Sequence, residues 1–281
     1  MSEKWEITGA RVLDIGDEGE QVRKLSVGLV AGHIDVVTHD DSPTARIEVH
    51  EVVGRPLKIT WNGSKVKISQ IQENGEGLWD AIKQIRGNRH DSARISVSIP
   101  EDALATVSTV SASSVMSGMR AATRANTVSG DMTVDDVQGT VDLNTVSGSI
   151  EAHALNGALR ANAVSGEITV HRSRLNPIKV NTVSGDVTID LLDGRTAITS
   201  SSVSGDVTIR APRGSGYVVD AHSISGHAIV DGMKLGGMVG SRGGQLKDGD
   251  GALSVKASSV SGDIVLLCTD GPNLTKAEEE S

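Results

Sequence analysis

The chain has 281 residues and a formal net charge of −9. Such an acidic chain lacks the basic face that phosphate requires, and its three Trp, one Tyr and no Phe leave few rings for base stacking, so we expect no nucleic-acid partner. The core must be aliphatic, which favours strands filled by β-branched residues. The single cysteine, Cys268, excludes an intrachain disulfide.

Residues 1–104 form a region of irregular alternation. Leu25, Val27 and Leu29 alternate with polar or small residues, and the same pattern recurs at intervals through the rest of the region. Period-two alternation predicts strands with one buried face. The stretch 30–36 is a degenerate copy of the repeat that follows.

The amino-terminal residues are charged, and no apolar run follows them. This pattern predicts neither a signal peptide nor a transmembrane segment, since a helical span needs about 20 apolar residues. We therefore expect a cytoplasmic protein.

Residues 78–85 break the alternation and predict a short helix with Leu78, Ile82 and Ile85 on one face. Such a helix either docks on a membrane or partner, or packs on the flank or end of the protein. We favour the second interpretation, because interfacial helices carry a larger apolar face and a basic rim. The role of 78–90 stays open.

From residue 105 the chain repeats the pattern Thr-Val-Ser-Gly-Asp, first complete at residues 127–131. The repeat glycines are Gly130, Gly148, Gly166, Gly185, Gly205, Gly226 and Gly262. Their spacing is 18 to 21 residues, except for the last step of 36. Gly118 lies 12 residues before the first and is interpreted as an incomplete or bent copy of the repeat.

Each repeat places apolar residues at alternate positions. They occupy the second and fourth positions after the glycine and the seventh and fifth before it. We also expect the valine or isoleucine two residues before each glycine to face the core, as at Val128 and Ile224. Every repeat thus supplies at least two short strands with inward apolar faces.

This pattern predicts an all-β fold, a single-stranded right-handed β-solenoid with coils of 18–21 residues. Coils stacked about 4.8 Å apart would pair each strand with its copies above and below. A seven-bladed propeller is excluded, because a blade needs about 40 residues. The regular solenoid spans 105–268, with a loop at 233–250 before a last coil at 252–267, and 269–281 is an acidic disordered tail.

Polar residues of the repeat form columns in the predicted stack. The glycines indicate a tight corner or close approach of neighbouring coils. The serines before them recur too regularly to be nucleophiles and are expected to bond to each other or to the corner backbone. Asparagines four residues before the glycine predict an amide ladder, and they are Asn126, Asn144, Asn162 and Asn181.

The residues after the glycines form an acidic column that includes Glu167, Asp186 and Asp206. Carboxylates at this spacing suit either a weak calcium or carbohydrate-processing site, or a solvated face that discourages edge pairing, and we favour the solvated face. His222 and His227 have no evident third ligand and are expected at the surface. We predict no catalytic, cofactor-binding or metal-binding residues.

Repeated Asn-Thr-Val-Ser-Gly-Asp-Val-Thr-Ile units follow a leader at residues 95–100 and an opening run at 107–111. This sequence resembles the bacterial β-strand-repeat family of adhesin-like proteins of unknown function over residues 25–267. The resemblance implies a right-handed β-solenoid and no known catalytic residues.

Three functions remain open. The first is a non-catalytic solenoid, a monomer or weak oligomer, that binds a protein or a cell-envelope component. The second is a self-assembling scaffold, because open strand edges can polymerise, although degenerate first coils and the acidic tail resemble caps. The third is a polysaccharide-active enzyme, which needs a non-repeating cluster of Asp with Lys or Arg on one face, and the sequence shows none.

Overall fold

The computed structural model describes residues 2–16, 19–70, 91–212, 216–236 and 242–269. Within these ranges the chain is all-β, with 25 strands and no helix. Strand formation follows from the alternation, because buried and solvent-facing residues take turns along each strand of the repeat. The helix predicted at 78–85 lies outside the described residues, as do residues 270–281 of the predicted tail.

The amino-terminal strands are β1 (Glu3–Ile7), β2 (Arg11–Ile15), β3 (Lys24–Leu29), β4 (Ala31–His39), β5 (Ala45–Val53), β6 (Leu57–Trp61), β7 (Lys65–Ser69) and β8 (Ser92–Pro100). The central strands are β9 (Leu104–Thr109), β10 (Ser113–Ser117), β11 (Thr123–Thr127), β12 (Met132–Asp135), β13 (Gln138–Thr145), β14 (Ile150–His153), β15 (Asn156–Ala163), β16 (Ile168–Asn181), β17 (Val187–Leu191), β18 (Ala197–Ser201) and β19 (Val207–Pro212). The carboxyl-terminal strands are β20 (Gly216–Ser223), β21 (Ala228–Val230), β22 (Met233–Leu235), β23 (Arg242–Gly249), β24 (Leu253–Ser259) and β25 (Ile264–Thr269).

Each coil contributes one strand to each of two faces, here called the first and the second sheet. The first sheet runs in the order β1, β6, β7, β3, β9, β11, β13, β15, β16, β18, β24, β20, β23. The second runs in the order β2, β5, β8, β4, β10, β12, β14, β16, β17, β19, β25, β21, β22. The 14-residue strand β16 belongs to both.

The central coils are parallel and in register, so that equivalent residues stack on one another. Asn126 pairs with Asn144, and Met132 pairs with Ile150. This in-register stacking confirms the predicted solenoid-like architecture, while the right-handed sense of the coil stays a prediction. The degenerate copy at 30–36 is also in register, because His33 of β4 pairs with Ser113 of β10.

Both ends of the stack depart from chain order. The coil β3–β4 lies between β7–β8 and β9–β10, and the coil β24–β25 lies between β18–β19 and β20–β21. Antiparallel strands then cover each end: β1 and β2 pair with β6 and β5, while β23 and β22 pair with β20 and β21.

The prediction of a loop at 233–250 was therefore wrong for its described part, which contains β22 and β23. A glycine-rich stretch can still pair through its backbone, and the exposed edge of β20–β21 offers it partners. The coil predicted at 252–267 is present as β24–β25, but it is not the last level of the stack.

The core is a set of aliphatic columns, and four of the five predicted inward columns are buried. Those after the glycine include Ile168 and Val170, and those before it include Leu143 and Leu159. The fifth prediction, that valines two residues before the glycine face the core, was wrong. Inward positions of the first sheet continue seven, five and three residues before the glycine, and the turn then breaks the alternation.

Candidate functional site

The repeat motif Thr-Val-Ser-Gly-Asp forms the corner at which each coil passes from the first sheet to the second. Thr127 ends β11 and Met132 begins β12, and the same corner recurs in the coils above and below. We call the resulting line of stacked corners the corner edge. Every residue of the motif therefore repeats as a column along this edge.

The threonine of each corner is buried and holds the turn together. Thr127 is 2% exposed, and its Oγ1 accepts the backbone NH of Gly130 at 3.0 Å. The same bond joins Thr145 to Gly148 at 2.9 Å. Sequence reasoning missed this column because it assigned the inward position to the neighbouring valine.

The repeat glycines allow neighbouring coils to approach closely, which is one of the two roles that the sequence predicted for them. A Cβ at Gly166 would lie 1.9 Å from the carbonyl oxygen of Gly148. The glycine is required here for space, since its φ is outside the left-handed region. The interpretation of Gly118 as an incomplete copy was wrong: Ala112 occupies the equivalent place, its carbonyl oxygen 2.0 Å from a Cβ at Gly130.

The serines bond to the corner backbone, which was one of the two predicted arrangements. Ser147 Oγ donates to the carbonyl oxygen of Val128 at 3.2 Å, and Ser165 Oγ donates to that of Val146 at 3.2 Å. The same bond recurs at the other corners. These hydroxyls link each coil to its neighbour through a backbone carbonyl.

The predicted amide ladder is present on the outer face of the first sheet. Each Nδ2 donates to the Oδ1 of the asparagine in the coil before it, over 3.1 Å from Asn144 to Asn126, 2.8 Å from Asn162 to Asn144 and 2.8 Å from Asn181 to Asn162. Ladders of this kind fix the register of parallel strands.

The acidic column is held by backbone amides. Asp186 Oδ1 accepts the NH of Asp206 at 2.9 Å, and Asp206 Oδ1 accepts the NH of Asp263 at 2.8 Å. Asp263 Oδ1 accepts the NH of His227 at 2.7 Å, and this bond lowers the pKa of the Asp263 carboxyl, assisted by the His227 ring.

Glu167 differs from the aspartates, because its Oε1 accepts the hydroxyl of Thr169 at 3.1 Å. Among the described residues, no group of three or more His, Cys, Asp or Glu is arranged to hold a metal ion. His222 and His227 lie at the surface as predicted, with side chains 58% and 51% exposed. The geometry of the column favours a solvated, structural role.

The valine position of the motif points outward and forms an exposed apolar line, here called the valine ridge. In stack order it consists of Val146, Val164, Val183, Val203, Val260 and Ile224. The five valines are 42–47% exposed and Ile224 is 74% exposed. The two preceding coils do not extend it, because Val128 is half-buried and Val110 is 5% exposed.

The valine ridge has different neighbours on its two sides. The amide ladder lies on the side of the first sheet, and the serines and the acidic column lie on the side of the second sheet. An apolar line between a hydrogen-bonding line and a line of carboxylates can bind a surface that is itself linear, apolar along its centre and basic along one side.

Cavities also lie away from the corner edge. One of about 340 Å³ is lined by His153, Arg172 and Arg174 among others. The His153 ring is 2.9 Å from the carboxylate of Asp135, and no serine, threonine or cysteine lines the cavity. The cavity lining therefore has no hydroxyl or thiol nucleophile for the His153 ring to activate.

Comparisons with known proteins support the fold. Residues 105–223 match the family described as Toastrack DUF4097. A solved structure from Parabacteroides distasonis ATCC 8503, named "Putative lipid binding protein", is 16% identical with a TM-score of 0.52, covering 92% of this chain and 97% of its own. One from Clostridium sporogenes ATCC 15579, named "a putative cell adhesion protein", is 12% identical with a TM-score of 0.27, covering 95% and 99%. No curated protein matches.

The match to the Toastrack family covers most of the central coils, and the first solved structure shares the fold at low sequence identity. Within the described ranges, no helix has the length and apolar character to span a membrane. The chain is thus similar, over its regular repeats, to a family whose function is unknown.

Proposed function

We propose that the chain is a non-catalytic, right-handed β-solenoid that binds a protein partner along the valine ridge. The observation that carries this proposal is a continuous apolar line on the outside of the coil stack. At about 4.8 Å per coil, six residues give a line about 24 Å long. Contiguous exposed apolar surface of this kind is typical of interaction sites.

A catalytic function has less support. The polar side chains of the corner edge repeat in every coil, and those of the serines and aspartates are engaged in backbone hydrogen bonds. An active site needs a singular constellation of groups in a pocket. The non-enzymatic character and the cytoplasmic location predicted from the sequence remain part of this proposal.

Self-assembly through the ends of the stack also has less support. The outermost described strands are antiparallel to their neighbours at both ends, and β22 has three residues. A coil of a second molecule could not continue the parallel, in-register pairing of the repeats on such an antiparallel edge strand. Sedimentation at high concentration is expected to show a monomer, and long filaments in negative stain would favour the scaffold instead.

The proposal is tested by affinity capture from an extract of the native host with three baits. These are the wild type, the ridge variant Val183→Thr/Val203→Thr, and a control, Val12→Thr/Val53→Thr. The control valines are 50% and 42% exposed but lie at the amino-terminal end, outside the ridge. Threonine keeps the β-branched shape, so both variants should fold.

We expect the wild type and the control to retain the same proteins and the ridge variant to lose at least one of them. Photo-crosslinking from position 164 should then link the lost protein directly to the valine ridge. Identical sets of captured proteins from all three baits would refute the proposal.

A further inference from the structure

We propose that the segment bound by the valine ridge is a basic amphipathic α-helix. This inference rests on the proposed function and specifies the chemistry of the partner. It follows from two properties of the corner edge: the spacing of its apolar side chains and the sign of the charge beside them.

The spacing of the ridge selects a helix over an extended strand. Neighbouring ridge residues are one coil apart, about 4.8 Å. An apolar stripe on a helix has one contacting side chain for about every 3.5 residues, and each residue rises by about 1.5 Å along the axis. Successive contacts are therefore about 5.3 Å apart. Alternate residues of a strand advance about 6.7 Å.

Over the five steps from Val146 to Ile224 this difference accumulates. The helix drifts out of register by only about 2 Å, which flexible leucine or methionine side chains can absorb. The strand drifts by about 10 Å, or two whole coils. A helix of about 18 residues can therefore contact every ridge residue in turn, whereas a strand cannot.

The charge beside the ridge selects a basic partner. Beside the ridge the neighbouring column reads, in stack order, Ser149, Glu167, Asp186, Asp206, Asp263 and His227, so four of its six side chains are carboxylates. Asp131 extends the column beyond the ridge, next to Val128. Backbone amides hold Oδ1 of Asp131, Asp186, Asp206 and Asp263, so these carboxylates keep fixed positions along the edge. A line of lysines or arginines on one side of the helix would face them, while polar residues on its other side would meet the amide ladder.

The same column argues against two other occupants. A second copy of this chain would bring its own carboxylates and a net charge of −9 to the contact. A membrane rich in anionic lipid would be repelled in the same way. Both alternatives are therefore outcomes that the test must be able to detect.

The test uses a synthetic 21-residue peptide with leucine at the a and d positions of three heptads, lysine at e, and glutamine or alanine elsewhere. Binding to the full chain is followed by fluorescence anisotropy, and helix formation by circular dichroism. A peptide of the same composition, in which the leucines alternate with polar residues along one continuous stretch, controls for sequence-independent attraction.

Four proteins are compared: the wild type, Val183→Thr/Val203→Thr, Asp186→Asn/Asp206→Asn, and Val12→Thr/Val53→Thr as the control. Asparagine keeps the Oδ1 acceptor that each backbone amide requires and removes only the charge. We expect the ridge variant to bind the helical peptide about tenfold more weakly and the control to bind it as the wild type does. The charge variant should lose affinity at low salt and match the wild type at about 1 M salt.

Equal binding of the helical peptide to all four proteins, or preference for the alternating peptide, would overturn the inference. So would ridge-dependent binding to phosphatidylglycerol vesicles in place of the peptide, or ridge-dependent dimers in sedimentation. Ridge-dependent capture from the host extract without peptide binding refutes the helix and leaves the proposed function intact, whereas absence of both refutes both.

Discussion

Replacing the buried repeat glycine Gly166 by alanine tests the close packing of the corner edge. The new Cβ would lie 1.9 Å from the carbonyl oxygen of Gly148, whereas ordinary contact begins at 3.4 Å. The two coils would therefore have to separate locally by about 1.5 Å, because the obstacle is backbone on both sides and no side chain can move aside.

The cost can be worked out from the bonds beside the glycine. Ser165 donates its NH to Val146 at 2.8 Å, and Ile150 donates its NH to Glu167 at 2.8 Å. A separation of this size stretches both bonds beyond about 4 Å, which removes about 1 kcal/mol each. Strain from overpacking adds about 1–3 kcal/mol. We expect Gly166→Ala to lower the free energy of unfolding by about 3–5 kcal/mol.

The measurement is denaturation by guanidinium chloride, with circular dichroism as the probe. Gly9→Ala is the matched control, because a Cβ at Gly9 would meet nothing within 4 Å, and it should change stability by less than about 0.5 kcal/mol. A loss below about 1 kcal/mol for Gly166→Ala would show that the coils can spread at the corner without penalty, and the reasoning would fail.

Three further substitutions test other parts of the repeat. Ala163 occupies the threonine position of its corner, so Ala163→Thr should give Gly166 the hydroxyl acceptor found in the other corners and raise stability by about 1 kcal/mol in chemical denaturation; destabilisation would contradict the geometry. Ala154 has a φ of 53°, so Ala154→Gly should raise stability by about 0.5–1 kcal/mol, and a lower denaturation midpoint would contradict that expectation. The NH of His227 lowers the pKa of the Asp263 carboxyl from its ordinary value of 3.8. The ionised carboxylate therefore stabilises the fold above pH 3.8, and this contribution is lost as the pH falls through the pKa of the folded state. The stability advantage of the wild type over Asp263→Asn, followed by denaturation at a series of pH values, should therefore be present at about pH 5 and shrink below about pH 4; an advantage that grows as the pH falls below about 4 would refute it.

Most of the central fold could be predicted because repetition averages out local ambiguity. Any one apolar pair is compatible with a strand or a loop, but pairs such as Ile168 and Val170 recur at the same offset from every glycine. The amide ladder followed from the same register. Repetition thus converted weak local signals into columns with defined partners.

The corner was mispredicted because alternation does not continue through a turn. Counting back two residues from the buried glycine assigns Val164 to the core, whereas counting forward from Ala161 along the strand assigns Ala163. The second count is correct, since a strand fixes its own alternation and the turn resets it. That second count was available in the sequence and would have revealed the valine ridge.

The ends of the stack could not be predicted, because insertion of a coil out of chain order leaves no local signal. The coil β24–β25 has the same repeat pattern whether it follows β20–β21 in the stack or lies between them and β18–β19. What decides the arrangement is the closure of the last edge by β22 and β23, whose sequence is rich in glycine and polar residues. Backbone pairing of this kind depends little on side chains and escapes pattern analysis.

The valine ridge is also the one part of the motif whose chemistry the fold does not require. In a corner such as 182–186, threonine bonds to the glycine NH, serine bonds to a valine carbonyl, glycine makes room for the coil below and aspartate bonds to the next amide. Only Val183 makes no hydrogen bond through its side chain. Threonine would give the same β-branched shape there and expose less apolar surface. A position that is free to be polar, and that nevertheless remains apolar and exposed through six coils, supports the proposal that the valine ridge is a binding surface.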